Sequence, residues 1–285
     1  MKFVSFVRMG RVGFGAVRNS EVVNLTGKLK PGVRSLKRAL ADDLLGEAES
    51  YCANRSADFA LSDITFLPVI PDPGKILCVG LNYQKHREET GRSPTDHPSM
   101  FVRFPDSQIG HRQSLIKPNV SDHFDYEGEL AITIGRGGRN IAEGEALSHV
   151  AGYSCYNEGS IRDWQKHTIQ FTPGKTFSGT GAFGPYLVTP DEVGDYSQLP
   201  IETRLNGEVM QKAELSDLIF SIPQIINYAS TFTPLVAGDV IVTGTPGGVG
   251  FKREPPVYLK AGDIVEVDCG KVGTLVNGVV DENAL

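Results

Sequence analysis

The sequence predicts a β-dominated α+β fold with few helices, and three observations carry that reading. The chain holds 32 glycines and 17 prolines, the residues that tight turns between short strands demand. Its apolar runs are mostly brief and end at such turns, as strands do. Helical composition is confined to a few short stretches, and no alternation of strand and helix marks a parallel βαβ sheet.

Taken in order, Phe3 to Val7, Gly13 to Arg18 and Val22 to Leu25 read as short strands joined by glycine turns. Residues 34–54 are helical in composition, with Ser35 as a start and Asp42-Asp43 as an interruption. Asp63 to Val69 returns to strand, and Pro71-Asp72-Pro73-Gly74 is a boundary that neither helix nor strand crosses easily. Residues 1–70 therefore read as a small N-terminal α/β domain and 71–285 as the larger, catalytic one. The second part opens with a strand, Lys75 to Val79, followed by a polar stretch, Asn82 to Ser99, whose first half is helix-compatible. Phe101 to Phe104, Gly128 to Ile134 and Val150 to Tyr156 are strands, Ile161 to Lys166 a short helix and Thr168 to Lys175 a loop. Leu205-Asn206-Gly207-Glu208 is a hairpin signal with Asn-Gly central. Ser221-Ile222-Pro223 opens a helix to about Phe232, with serine as N-cap and proline in the first turn. Val236 to Val242 and Leu259 to Val265 repeat one phrase, an Ala-Gly-Asp turn and then a strand.

Composition narrows the function. Hydrophobic residues at 40% and charged ones at 22% are those of an ordinary globular protein. A net charge of −6 with no basic run argues against a nucleic-acid surface. No stretch approaches the length of a membrane span and the N-terminus lacks a signal-peptide pattern, so a cytoplasmic protein is expected. Cys52, Cys78, Cys155 and Cys269 have no metal-type spacing, and the last three lie in apolar runs where a buried free thiol is expected.

The chemistry concentrates in three acids and one lysine. Glu127 and Glu129 enter a strand two residues apart, so their carboxylates face one side. Glu-x-Glu is common on exposed strands, but two carboxylates aimed at one point repel unless a cation sits between them. A third acid, Glu158, completes a hard oxygen set suited to Mg²⁺ or Mn²⁺, with Ca²⁺ also admitted, rather than to zinc. His86 and Glu89, three residues apart on a helix, share a face, so the carboxylate can orient the imidazole as a general base. A solvated, charged helix accounts for the same residues without function. Gly174-Lys175-Thr176 is no phosphate loop, because Ile169 stands where that motif needs its first glycine. His97, His111, His123, His149 and His167 show no ligand spacing and read as surface or structural residues.

These blocks, with Gly80-Leu81-Asn82-Tyr83 upstream and Thr243-Gly244-Thr245-Pro246-Gly247-Gly248-Val249-Gly250 downstream, resemble the fumarylacetoacetate hydrolase family. The resemblance runs from about Gly74 to Val279, several blocks in the same order. It implies a mixed β-roll and a divalent ion on Glu127, Glu129 and Glu158. It also implies His86 and Glu89 as a dyad on a lid spanning about residues 83–99, and Lys175 beside the metal. Arg103 and Gln165 fall where the family has groups near the substrate, although an ion pair would equally account for Arg103. Tyr83 is a further expected substrate contact, and Thr245, in its Gly-rich turn, offers a hydroxyl and open backbone N–H groups to a carboxylate. Two departures are visible: the family's third ligand is usually Asp, and Phe177 is followed by Ser178 rather than Asp. The implied activity is hydrolysis of a C–C bond in an acylpyruvate such as fumarylpyruvate. Oxaloacetate decarboxylation, hydroxymuconate-type isomerisation and dehydration of sugar-derived keto acids draw on the same chemistry. A non-catalytic metabolite-binding relative is the remaining alternative. The implied partners are a small 2-keto acid and a second copy of the chain.

Overall fold

The computed structural model describes residues 1–284 and is built on one large sheet, a five-stranded sheet and a two-stranded ladder. From edge to edge the large sheet runs Phe59–Ala60, Glu21–Asn24, Arg11–Arg18, Lys2–Arg8, Gly181–Val188, Val150–Asn157, Gly128–Ile134, Val240–Val242, Ile76–Gly80 and Ser99–Arg103. Most pairings are antiparallel, while Val240–Val242 lies parallel to Ile76–Gly80. The second sheet orders Glu208–Glu214, Pro200–Leu205, Ile264–Asp268, Thr274–Asp281 and Leu115–Lys117.

Side-chain alternation along Gly128–Ile134 explains the layering. Leu130, Ile132 and Ile134 enter a core shared with Ile201, Leu205, Val265, Val267 and Leu275 of the second sheet. Ala131, on the other face, packs in a separate core with Val240, Val242, Leu36, Ala39 and Ala48. That second core joins the N-terminal segment to the rest. The strand Lys2–Arg8 hydrogen-bonds to Gly181–Val188, so the sheet runs unbroken from residues 1–70 into 71–284. Pro71 to Gly74 interrupts the chain, whereas hydrogen bonds and apolar packing cross it.

Local chemistry accounts for the elements. Ser35 caps Leu36–Ala41 by accepting from Arg38 N at 3.2 Å, and a second helix follows at Leu45–Cys52. Asn206 and Gly207 both take positive φ, 53° and 83°, which the hairpin turn requires. Ser221 and Gln224 form a capping box at the start of Ile222–Phe232. The strand expected over Asp63 to Val69 shrinks to Thr65–Phe66. A 3₁₀ turn at Leu61–Asp63 precedes it, and Pro68, which has no N–H to donate, follows it. The loop expected over Thr168 to Lys175 ends in a helical turn, Thr172–Lys175, with Pro173 in its first positions. All four cysteines are free and buried. Among the described residues no helix is long and apolar enough to cross a membrane.

Candidate active site

Register brings the acids together. Gly128 pairs with Asn157 on the neighbouring strand, so Glu127 and Glu158 are neighbours just beyond the ladder's end. The Glu158 N–H donates to the Glu127 carbonyl at 2.8 Å. Glu129 follows Glu127 on the same face, two residues on. All three are buried, at 3%, 1% and 1% exposure, and offer carboxylate oxygens within 4.8 Å of one another.

Three buried carboxylates need countercharge, and two cations supply it. Lys175 Nζ donates to Glu127 at 2.5 Å and to Glu158 at 2.9 Å. Arg162 donates to Glu127 from Nη1 at 2.7 Å and to the buried Asp125 from Nε at 2.8 Å. Burial alone would raise the Glu127 pKa, but Arg162 and Lys175 hold it down to about 2. Glu129 lacks such a partner; burial and the charges of Glu158 and Glu127 push its pKa well up, against one short bond from Gly244 N. Burial would lower the Lys175 pKa, yet Glu127 and Glu158 raise it. One oxygen, Glu158 Oε1, is buried with no hydrogen-bond partner. An orphan oxygen beside a second carboxyl that cannot ionise easily suits a hard divalent cation. Glu127, Glu129 and Glu158 are the residues that fit one, and the longer side chain at 158 reaches the cluster.

A cavity of about 380 Å³ opens above this floor, walled by Val79, Leu81, His86, Gln165, Phe171 and Thr245 among others. The helix Gln84–Thr90 delivers His86, which is itself buried. Its Nδ1 lies 2.7 Å from Glu89 Oε1, and Gly248 N donates to Glu89 Oε2 at 3.0 Å. A carboxylate on Nδ1 places the ring proton there and leaves the Nε2 lone pair free. Gln165 Oε1 accepts from Arg162 Nη1 at 3.0 Å, so its amide NH₂ is the uncommitted end. Gly174 makes this approach feasible: a Cβ there would meet Gln165 N at 2.3 Å.

The structure thus gathers Glu127, Glu129, Glu158, Lys175, His86, Gln165 and Thr245 at one cavity, with Glu89 directly behind His86. Thr245 is doubly engaged, donating to Gly128 O and accepting from Gln211 Nε2, so it ties the glycine-rich turn to the acidic strand. Arg103 and Tyr83 do not line the cavity. Arg103 is buried beneath it, donating to Gly159 O at 2.9 Å and Thr180 Oγ1 at 3.1 Å, where it braces the turn after Glu158. Tyr83 is packed in the main core. Three residues were not singled out in the sequence: Asp125, Arg162 and Gln211. Arg162 had a signal, since it precedes Gln165 by three on a helical segment. Asp125 and Gln211 had none, because their partners are distant in the chain.

A mixed β-roll carrying a buried carboxylate triad beside a histidine–carboxylate dyad defines a class of metal-dependent enzymes. The fumarylacetoacetate (FAA) hydrolase C-terminal model matches residues 75–280, and the chain belongs to the fumarylacetoacetate hydrolase family. A relative from Dictyostelium discoideum, a fumarylacetoacetate hydrolase domain-containing protein 2 homolog, is 41% identical over 73% of this chain and 72% of its own. The mitochondrial oxaloacetate tautomerase FAHD2A of Bos taurus is 40% identical over 77% and 70%. Among solved structures, a fumarylacetoacetate hydrolase from Exiguobacterium antarcticum superposes with a TM-score of 0.84 at 32% identity, covering 99% of this chain and 100% of that one. A maleylpyruvate hydrolase from Sphingobium sp. SYK-6, in complex with manganese(II) and pyruvate, does so at 0.83 and 25%, covering 99% of each.

Proposed function

We propose that the chain is a divalent-metal-dependent enzyme that moves a proton at the carbon beside the carbonyl of a 2-oxo acid, interconverting keto and enol forms of an oxaloacetate-type substrate. One observation carries this reading: the His86–Glu89 dyad and the Glu127–Glu129–Glu158 cluster open on one cavity. The oxaloacetate tautomerase relatives support it. Mg²⁺ or Mn²⁺ on the three glutamates would supply the Lewis acidity that makes the neighbouring C–H acidic.

The protein's own groups do the rest. His86 takes or returns the carbon-bound proton at Nε2, and Glu89 stabilises the imidazolium that forms. Gly248 N fixes Glu89, so the base is held in place by the glycine-rich turn. Lys175 spends two of its three N–H donors on Glu127 and Glu158. The third, with the Gln165 amide, is available to developing oxygen charge.

Acylpyruvate hydrolysis is the second reading, with His86 activating water instead of taking a carbon-bound proton. The cavity volume favours it, since about 380 Å³ lies in the range of pockets for ligands larger than oxaloacetate. The pairing of base and carboxylate argues against a purely binding relative, which needs neither. The test follows loss of the oxaloacetate enol absorbance beside pyruvate release from acylpyruvates. His86→Ala should slow the favoured reaction by about 10²–10⁴-fold and spare oxaloacetate decarboxylation more. A wild type that cleaves acylpyruvates but adds nothing to spontaneous enol loss selects hydrolysis; undiminished turnover by His86→Ala removes the assigned base.

A further inference from the structure

Although the chain carries a net charge of −6, one wall of the cavity is cationic. Arg162, Lys166 and Lys252 surround the ring of Phe251, at 4.3, 4.6 and 5.5 Å from its centroid, and all four residues line the cavity. Among the described residues neither lysine forms an ion pair. The carboxylates nearby are committed elsewhere. Asp125 accepts from Arg162, Gly250 N and Phe251 N, and Asp163 accepts from Ser121 and Trp164 N. The Asp125 bonds also fasten the turn Gly250–Lys252 to Arg162, so Phe251 and Lys252 are held in position rather than left on a free loop. Arg162 links this wall to the acidic floor: it reaches Glu127 with one nitrogen at 2.7 Å while its guanidinium carbon lies 4.3 Å from the Phe251 ring centroid, the ring the two lysines also approach.

Like charges gathered around one ring repel, and burial, Arg162 and Lys252 together lower the Lys166 pKa. An anion between them would relieve that repulsion. With the oxo-acid end of a substrate at the glutamates, these lysines are cationic groups on the wall of the same cavity that its other end can meet. We propose that Lys166 and Lys252 form a subsite for the distal carboxylate of a 2-oxo dicarboxylate, selecting diacids over the corresponding monoacids. The proposal rests on the 2-oxo acid reading for its orientation, but its selectivity can be measured without turnover.

Calorimetric titration with (S)-malate and (S)-lactate in Mg²⁺ buffer isolates the one carboxylate by which these unreactive acids differ. Wild type should bind malate at least about tenfold tighter, the scale of one charge-assisted hydrogen bond. In the double variant Lys166→Met, Lys252→Met that preference should fall to about twofold or less, with lactate affinity unchanged. Lys166→Arg with Lys252→Arg should restore it. A preference that survives in the methionine variant, or is absent from wild type, overturns the subsite. Loss of lactate binding in the methionine variant overturns it too, since the lysines would then be structural. Malate selectivity in a protein that leaves oxaloacetate unchanged would sink the tautomerase reading and keep the subsite.

Discussion

Arg162 holds together what a strand pattern alone could not. Spacing put Glu127 and Glu129 on one face, and the order of motifs added Glu158 and Lys175. The countercharge from Arg162 and its anchor on Asp125 depend on a fold contact between residues 37 positions apart, which local sequence does not record. Arg103 was misleading for the converse reason: a basic residue near the site in sequence turned out to serve the Gly159 carbonyl and the Thr180 hydroxyl beneath it. Two predictions belong to single residues. If the triad takes a divalent ion, Mg²⁺ or Mn²⁺ at 100 times its Kd should stabilise the fold by about 2.7 kcal/mol. Glu127→Ala should abolish that gain and also lower metal-free stability by about 3–5 kcal/mol, because Arg162 and Lys175 lose a buried partner. Glu158→Asp should keep the gain. Thermal melts with and without millimolar metal check this, and a metal-insensitive wild type would count against the site. The second concerns His111, whose pKa burial and Arg112 depress to about 4 and whose Nδ1 accepts from Val276 N at 3.1 Å. The folded state resists protonation that the unfolded state accepts below about 6.5, so stability is lost as pH falls through 6.5 toward 4. Urea melts at pH 7.5 and 5 should show a smaller loss in His111→Gln than in wild type; equal losses would assign the acid sensitivity elsewhere.

Elements were legible where one local mechanism fixes them. The two Ala-Gly-Asp phrases illustrate this. Asp239 Oδ2 accepts from Val236 N at 2.9 Å, and Asp263 Oδ2 accepts from Lys260 N at 2.9 Å. Gly238 and Gly262 take φ of 85° and 91°, so both turns close the same way before a strand. The Asn206-Gly207 hairpin and the Ser221 cap are local in the same sense. Strand order was not legible, because pairing Lys2–Arg8 with Gly181–Val188 joins residues far apart. The Asp63 to Val69 strand failed through Pro68, whose missing donor outweighed the apolar pattern. The segment from residue 83 to 99 divides into two parts. Gln84–Thr90 is a helix seated on the glycine-rich turn through Glu89, and it ends at Gly91 with φ 68°. Residues 91–97 are exposed, with His97 stacked 5.6 Å from Tyr228. Few buried contacts hold that second part, which marks it as a low-stability unit. Amide exchange across residues 84–99 should therefore be fast without ligand and slow when oxalate and Mg²⁺ are added. Equal protection in both states would remove closure of this segment from the mechanism.

At the scale of the whole molecule, the sheet that carries the acidic strand also incorporates residues 1–70, so the N-terminal segment buttresses the catalytic part from one side. That leaves two ends of the sheet to consider. One is the two-residue strand Phe59–Ala60; the other is Ser99–Arg103, five residues long and paired on one side only. The second copy implied by the resemblance would pair through the Val- and Ile-rich late strands Val240 to Thr243, Ile264 to Val267 and Thr274 to Val276. The first cannot serve, since Val240–Val242 is wholly buried between Gly128–Ile134 and Ile76–Gly80. The other two have strand partners on both sides within the chain. Val265, Val267 and Leu275 are buried in the core shared with the large sheet, whereas Ile264 is 47% exposed. The free edge at Ser99–Arg103 is the better candidate, with Val102 and Phe104 two residues apart and 40% and 52% exposed. A strand with one free edge, apolar side chains and no edge lysine invites pairing with a second copy. Light scattering at micromolar protein should give twice the 30.9 kDa of one chain. Val102→Lys with Phe104→Lys should shift it toward the single-chain mass while leaving the metal-dependent melting gain intact. A wild type that scatters as a single chain would defeat the dimer, and a dimer indifferent to both lysines would move its interface off this edge.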